Sequence, residues 1–177
     1  MKLIKRKGIV NPQYKVNKLF LLISSFFGLG FSPYASGTVA SLATAFLIFL
    51  FHLSDVFPLL IIAIVCFLIG VFVSGDAIGK YGKDPSVVVI DEVAGMFVAY
   101  IISLVFSPVG SDYIQCLIGA FIGFRFFDVV KIFPSTYFDK INNAFGIMMD
   151  DVVAGVYGGI LSVILNLILK FLKITIW

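Results

Sequence analysis

The chain has 177 residues, of which 60% are hydrophobic and only 13% are charged. A soluble domain of this length is usually about half apolar and about a quarter charged. The composition therefore excludes an ordinary soluble domain and predicts an all-α integral membrane protein whose apolar surface faces lipid.

The chain begins with a basic segment, residues 1–14, which we separate from a single membrane-embedded domain, residues 15–177. The formal net charge of +3 arises mainly from cations near the N-terminus: Lys2, Lys5, Arg6, Lys7, Lys15 and Lys18. Such a tail can bind nucleic acid or begin a signal peptide, but before an apolar chain it is more typical of the cytoplasmic side of a membrane protein. We therefore expect a cytoplasmic N-terminus and no nucleic-acid partner.

The first apolar run, residues 19–54, is too short for two crossings, because its 36 residues would extend only about 54 Å as a helix. A proline-containing segment, residues 32–37, also interrupts it. We predict that residues 15–28 form a helix that lies in the membrane interface or dips into it. The first crossing helix is then expected over about residues 38–53.

Three later uncharged runs are each long enough to cross the membrane alone, at about 20 residues per crossing: residues 56–75, 93–111 and 152–169. A fourth run, residues 113–124, is short but suffices if its helix continues through Phe127. The sequence therefore predicts about five transmembrane helices in addition to the N-terminal interfacial or re-entrant helix.

Lysine and arginine are distributed unevenly between the two predicted faces. With the N-terminus inside, the external loops near residues 52–57 and 107–113 contain neither residue. Eleven of the 13 cations then lie inside, and only Lys170 and Lys173 lie outside, in agreement with the positive-inside rule. Eight of the ten carboxylates lie on the same inner face, which that rule does not explain.

Four polar segments meet this inner face, each at the end of a predicted helix. In the first, FSPYASGT, small and hydroxyl residues precede a helix. The backbone N–H groups of Ser36, Gly37 and Thr38 would then be free to bind an anion such as phosphate. Alternatively, Ser36 or Thr38 caps the helix.

The second segment, KDPSVVVIDEVAG, carries three of the acidic residues. A helix that begins near Pro85 would place Asp84 and Asp91, seven residues apart, on nearly the same side. Asp84 could equally be a partner of the helix dipole. Asp91 and Glu92 lie farther into an apolar span, where acidic groups are costly and typically functional.

The third and fourth segments add one cation and three more carboxylates. FRFFDVVK places Arg125 and Asp128 at i and i+3, where they can meet on one helix face as a structural ion pair or as part of a site. GIMMDDVVAG places Asp150 and Asp151 at the start of a span, where a helix-dipole role competes with metal binding.

Together these segments indicate metal-assisted phosphoryl chemistry. Clustered carboxylates suit Mg²⁺, which proteins usually hold with a few carboxylates, waters and substrate phosphate. Arg125 and Lys131 can hold phosphate oxygens. The only histidine, His52, is predicted on the outer face, which excludes a histidine nucleophile or a His-rich zinc site at the inner one. A phospholipid head group is the expected substrate.

At these residues the sequence resembles the phosphatidylglycerophosphatase A family. The resemblance rests on four segments in the family's order: SPYASGTVAS (residues 32–41), DPSVVVIDEVAGM (84–96), FRFFDVVK (124–131) and GIMMDDVVAG (146–155). It implies a Mg²⁺-dependent phosphomonoesterase that converts phosphatidylglycerophosphate to phosphatidylglycerol and inorganic phosphate. It also implies the bacterial inner membrane, with the active site facing the cytoplasm.

Roles for individual residues follow as hypotheses. The expected metal ligands are Asp84, Asp91, Glu92, Asp128, Asp150 and Asp151. The expected catalytic residues, as leading metal ligands or water activators, are Asp91, Asp128 and Asp151. The expected phosphate-binding residues are Arg125, Lys131, Ser36, Gly37 and Thr38. Asp76 and Lys83 are weaker candidates.

Two functions of other kinds remain as alternatives. A small transporter would require charges near the middle of the bilayer, whereas these lie at one edge, and no inverted repeat is evident. A lipid-head-group phosphotransferase would require a second, nucleotide-linked or alcohol substrate.

Overall fold

The structure is a computed structural model that describes residues 10–172. The expectations for Lys2, Lys5, Arg6, Lys7 and Lys173 therefore concern residues outside this range. Within it, the chain forms helices and no β-strand, which confirms the predicted all-α class. The helices are α1 (Lys18–Ser24), α2 (Ser36–Leu50), α3 (Val56–Tyr81), α4 (Ile90–Phe106), α5 (Tyr113–Val130), α6 (Ser135–Phe138) and α7 (Ala144–Phe171), with a short 3-10 helix at Leu29–Phe31.

Three of the described helices, α3, α5 and α7, are long and apolar enough to cross a membrane. The expected continuation of the short fourth run is confirmed, because α5 extends past Phe127 to Val130. Helices α2 and α4 have 15 and 17 residues, which correspond to about 22 and 26 Å against a hydrocarbon core of about 30 Å. Five crossings therefore stay a prediction.

The predicted start of the fourth helix near Pro85 is wrong. Helix α4 begins at Ile90, and the residues before it form a loop. The Val89 N–H donates to the Ser24 carbonyl instead of to the Pro85 carbonyl, and Val89 has a φ of −141°, so no helix runs from Pro85 into α4. Three consecutive β-branched valines, residues 87–89, also favour an extended approach to the helix. Asp84 and Asp91 consequently do not share a helix.

The N-terminal helix is shorter than predicted. Helix α1 ends at Ser24 instead of continuing to residue 28, because Phe26 and Phe27 adopt positive φ angles of 45° and 56°. The chain after it is fixed to the loop before α4, since the Val89 N–H donates to the Ser24 carbonyl at 2.9 Å. The position of helix α1 relative to a membrane interface stays a prediction.

Helix α4 is the central helix of the bundle. It packs against α2, α3, α5 and α7, and its first eight residues, from Ile90 to Phe97, are all buried. Small residues permit this packing. A Cβ on Gly95 would lie 2.7 Å from the backbone oxygen of Asp151, so α4 and α7 approach closely only because this side chain is absent.

Polar side chains join the helices at the end of the bundle where α4 finishes. The Ser103 and Ser162 hydroxyls lie 2.7 Å apart, and the Asn166 amide donates to the Ser107 hydroxyl at 2.8 Å. The Tyr100 hydroxyl donates to the Leu53 carbonyl, just after α2, at 2.9 Å. Successive long helices therefore alternate in direction. At the opposite end, called here the acidic end, α2, α4 and α7 begin and α3 and α5 finish.

The α5–α7 crossing gives a test of this packing. A Cβ on Gly158 would overlap the backbone of Phe124, whereas a Cβ on Gly75 meets no atom within 4 Å. Gly158→Ala is expected to lower the free energy of unfolding by about 1–3 kcal/mol through overpacking. Gly75→Ala is the matched control and is expected to be neutral or stabilising by up to about 1 kcal/mol. Thermal unfolding of the detergent-solubilised protein measures both. Equal melting temperatures for the two variants would contradict the crossing.

Candidate functional site

Three carboxylates from three helices converge at the acidic end. Glu92 lies in the first turn of α4, Asp128 in the last turn of α5 and Asp151 in the second turn of α7. One ligand oxygen from each lies within 4.8 Å of those of the other two. Glu92 and Asp151 are only 2% and 4% exposed, and Asp128 is partly buried. We call these three residues the carboxylate triad.

Arg125 is the cation that contacts this triad. Its guanidinium pairs with Glu92 through Nη1 and with Asp128 through Nη2, the second at 3.1 Å. The predicted meeting of Arg125 and Asp128 on one helix face is therefore confirmed. Asp91 is 2% exposed and lies near enough to Asp151 for the two charges to interact. The site thus consists of the carboxylate triad with Arg125, and of Asp91 close to Asp151.

The start of α2 lies directly beside the triad. A Cβ on Gly37 would overlap the Glu92 carboxylate, so the backbone of α2 approaches this acid closely. The first helical hydrogen bond of α2 runs from the Val39 N–H to the Ala35 carbonyl at 3.0 Å. The N–H groups of Ser36, Gly37 and Thr38 precede it and have no acceptor within the helix. The Ser36 hydroxyl does not cap α2 but donates to the Ser86 carbonyl at 2.7 Å.

Asp150 and Lys131 belong to a neighbouring cluster. Lys131 Nζ donates to Asp139 at 2.6 Å and also to Asp150, which accepts a further hydrogen bond from the Ser135 hydroxyl. Burial acts to lower the pKa of Lys131, but the Asp150 and Asp139 carboxylates outweigh it and raise that pKa above its ordinary value. The Lys131 ammonium therefore stays charged, held by two carboxylates.

The remaining predicted site residues lie outside the triad. Asp84 is in the loop before α4, and Lys83 is exposed. Asp76, in α3, accepts from the Tyr14 hydroxyl at 3.1 Å and from the Asn17 N–H at 2.6 Å. Hydrogen bonding to Asp76 raises the pKa of Tyr14. Asp76 thus attaches the segment before α1 to α3.

Sequence reasoning missed one residue of the site, Ser41. Its side chain is fully buried, and its hydroxyl lies 2.9 Å from Glu92 Oε2 and 3.3 Å from Arg125 Nη1. The helical spacing in the first polar segment could have indicated it. Ser41 follows Gly37 by four residues and therefore lies on the same side of α2 as this predicted phosphate-binding residue.

The donor set of the triad fits a hard divalent cation. Carboxylate oxygens are the preferred ligands of Mg²⁺ and Ca²⁺, and Mg²⁺ is commonly held by only a few of them. Three acids that approach one another this closely in a buried site also repel one another, and a bound cation removes that repulsion. The triad is therefore a candidate metal site.

Known proteins are similar to this chain over most of its length. Residues 22–166 match the family described as phosphatidylglycerophosphatase A. The phosphatidylglycerophosphatase A of Haemophilus influenzae is 38% identical over 152 residues, which cover 83% of this chain and 90% of that protein. That of Escherichia coli is 32% identical over 156 residues, which cover 86% of each chain.

A third relative carries a different name. A Bacteroides thetaiotaomicron protein, named as a candidate phosphatidylinositol-3-phosphatase, is 36% identical over 146 residues, which cover 80% of this chain and 89% of that protein. No solved structure matches the chain. Because the family match includes the triad, Arg125 and the start of α2, and the relatives align over most of their length, this chain belongs to the phosphatidylglycerophosphatase A family.

Proposed function

We propose that this chain is a metal-dependent phosphatidylglycerophosphatase that releases inorganic phosphate from phosphatidylglycerophosphate and leaves phosphatidylglycerol. The observation that carries the proposal is the convergence of Glu92, Asp128 and Asp151, from three helices, beside one arginine. The family and two of the named relatives support the choice of substrate.

Electrostatics explains why a cation is needed. A phosphomonoester carries close to two negative charges at neutral pH, and four carboxylates would repel it. Glu92, Asp128 and Asp151 would hold a divalent cation, with Mg²⁺ as our proposed ion. When bound, such an ion supplies a Lewis acid that polarises a phosphoryl oxygen.

The chain's own residues then bind phosphate and handle protons. We assign Arg125 to the phosphate oxygens, because its planar guanidinium suits bidentate recognition. The N–H groups at the start of α2, which have no acceptor within that helix, are a second set of donors to the same anion. Overall, a water oxygen bonds to phosphorus and the bond from phosphorus to the glycerol oxygen breaks. Asp91, beside Asp151, is our candidate for accepting the proton of the water, and the departing glycerol oxygen takes up one proton in turn, so that the alcohol is released.

Metal dependence is tested by phosphate release from phosphatidylglycerophosphate by the purified, detergent-solubilised protein. Release is expected with Mg²⁺ and is expected to stop with excess chelator. Glu92→Gln, Asp128→Asn and Asp151→Asn should each lower the rate by about 100-fold or more, because each removes a charged ligand. Asp55→Asn is the control, since Asp55 is exposed next to α3 at the other end of the bundle.

Three results of this assay would contradict the proposal. Phosphate release that persists in excess chelator would show that the reaction does not require a metal ion. Release from phosphatidylinositol 3-phosphate in preference to phosphatidylglycerophosphate would change the substrate to the one in the name of the Bacteroides relative. Release that requires an added alcohol or nucleotide would indicate a transferase.

Lys131 and Asp150 are proposed to support the site without contacting substrate. The Asp150 carboxylate is buried and pairs with Lys131, whose side chain is 29% exposed. Because the pKa of Lys131 is raised, this pair contributes stability wherever the Asp150 carboxylate is ionised and the pH is below the ordinary lysine value of 10.5. That stability is lost as the pH rises through the folded-state pKa of Lys131, and also at acid pH, where Asp150 takes up a proton.

Lys131→Met is therefore expected to lower the melting temperature at neutral pH by leaving Asp150 without its ammonium partner. Lys131→Met combined with Asp150→Asn should recover part of the loss, while the KM for the lipid stays close to that of the unmodified protein. Thermal unfolding and steady-state kinetics measure the two effects. An unchanged melting temperature with a raised KM would instead support phosphate binding by Lys131, as the sequence suggested.

We also propose that the acidic end faces the cytoplasm, as the distribution of lysine and arginine indicates. Lys83→Cys and Asp55→Cys place a single exposed thiol at opposite ends of the bundle. In intact cells, a membrane-impermeant thiol reagent is expected to label position 55 and to label position 83 only after lysis. The reverse pattern would invert the orientation. The native cysteines lie within helices and give the background.

A further inference from the structure

The Glu92 carboxylate is held partly by a helix other than its own. Ser41, in α2, is fully buried, and its hydroxyl lies 2.9 Å from Glu92 Oε2 and 2.8 Å from the Gly37 carbonyl. A hydroxyl has one proton to donate and lone pairs to accept, so Ser41 can donate to Glu92 while it accepts from Arg125 at 3.3 Å. It therefore links the acid and the guanidinium that share the site.

Thr44 is a second buried hydroxyl residue of α2 and gives a comparison for Ser41, because its hydroxyl has no recorded contact with the carboxylate triad. Its side chain is 1% exposed, and its hydroxyl bonds to the Ala40 carbonyl of its own helix at 2.9 Å. This i−4 bond satisfies a hydroxyl without any other helix. Ser41 has the equivalent acceptor in the Gly37 carbonyl at 2.8 Å, but Glu92 Oε2 at 2.9 Å is a second, charged acceptor for the same proton, and Thr44 has no such acceptor among the described residues.

Gly37 extends the same contact by one helical turn. The space that a Cβ would occupy at this position is filled by the Glu92 carboxylate. Gly37 and Ser41 are four residues apart and lie on one side of α2, so together they form a surface shaped to this carboxylate. The close approach of α2 therefore restricts the position of the Glu92 carboxylate.

We infer that Ser41 is a positioning residue that orients the Glu92 carboxylate for binding a divalent cation with Asp128 and Asp151. This inference rests on the proposed metal site. Without the hydroxyl, Glu92 Oε2 keeps its ion pair with Arg125 but loses a hydrogen-bond donor on α2. Removal of groups that orient metal ligands typically weakens metal binding by about 10- to 100-fold.

Direct binding of Mn²⁺ to the purified full chain tests this role without any assay of turnover. Electron paramagnetic resonance of free Mn²⁺ gives the dissociation constant. Ser41→Ala is expected to weaken binding by about tenfold or more, and Ser41→Thr, which retains the hydroxyl, to restore most of it. Thr44→Val is the matched control, with unchanged affinity expected. Thermal unfolding confirms that each variant is folded.

A second arm shows whether Ser41 acts through Glu92. Glu92→Asp withdraws the carboxylate from Ser41 by one methylene, so adding Ser41→Ala to it is expected to cost little further affinity. Gly37→Ala should weaken binding on its own, because its Cβ displaces the carboxylate. A Ser41→Ala affinity equal to that of the unmodified protein, an equal loss in Thr44→Val, or a full additional loss in the Glu92→Asp background would each overturn the inference. Failure of the unmodified protein to bind Mn²⁺ would instead reject the metal site itself, and the role of Ser41 with it.

Discussion

A carboxylate that leaves water for the space between apolar helices loses several kcal/mol unless charge and hydrogen bonds replace its hydration. In this chain Glu92 and Asp151 are both placed there, at 2% and 4% exposure, with Asp128 beside them. Much of the acidic end can be understood as a response to that cost. Arg125 neutralises part of the charge, Ser41 donates a hydrogen bond, and the remaining negative charge is what a divalent cation would balance.

Close helix packing makes this arrangement possible. The acids come from α4, α5 and α7, which approach one another through glycines: Gly95 faces α7, and Gly158 meets the backbone of α5. Larger residues at these points would separate the helices and increase the distances between the three carboxylates. These two glycines therefore help to set the geometry of the site, although neither has a side chain that could take part in the reaction.

Much of this organisation was readable from the sequence, because it depends on patterns with a fixed physical meaning. The apolar runs predicted the long helices, and the i, i+3 spacing predicted that Arg125 meets Asp128. The start of α4 was not readable in the same way, since Pro85 favours a helix start, whereas the Val89 N–H donates to the distant Ser24 carbonyl instead of to Pro85. Pairing between distant segments was also hidden. Nothing local to Lys131 shows that its partners are Asp139 and Asp150, and Ser41 gains its role only when α2 packs beside α4.

The shortness of α2 has a consequence for the surrounding lipid. Its 15 residues correspond to about 22 Å, whereas the 26 residues of α3 correspond to about 39 Å. Its outer surface is apolar, with Leu42 56% and Phe46 58% exposed. If α2 crosses the bilayer, thinning of the adjacent leaflets is one way in which the membrane accommodates so short an apolar helix. Head groups beside α2 would then stand deeper than those beside α3, closer to the level of the buried acids. The local deformation of the bilayer would carry a lipid phosphate part of the way to the place where it is cleaved.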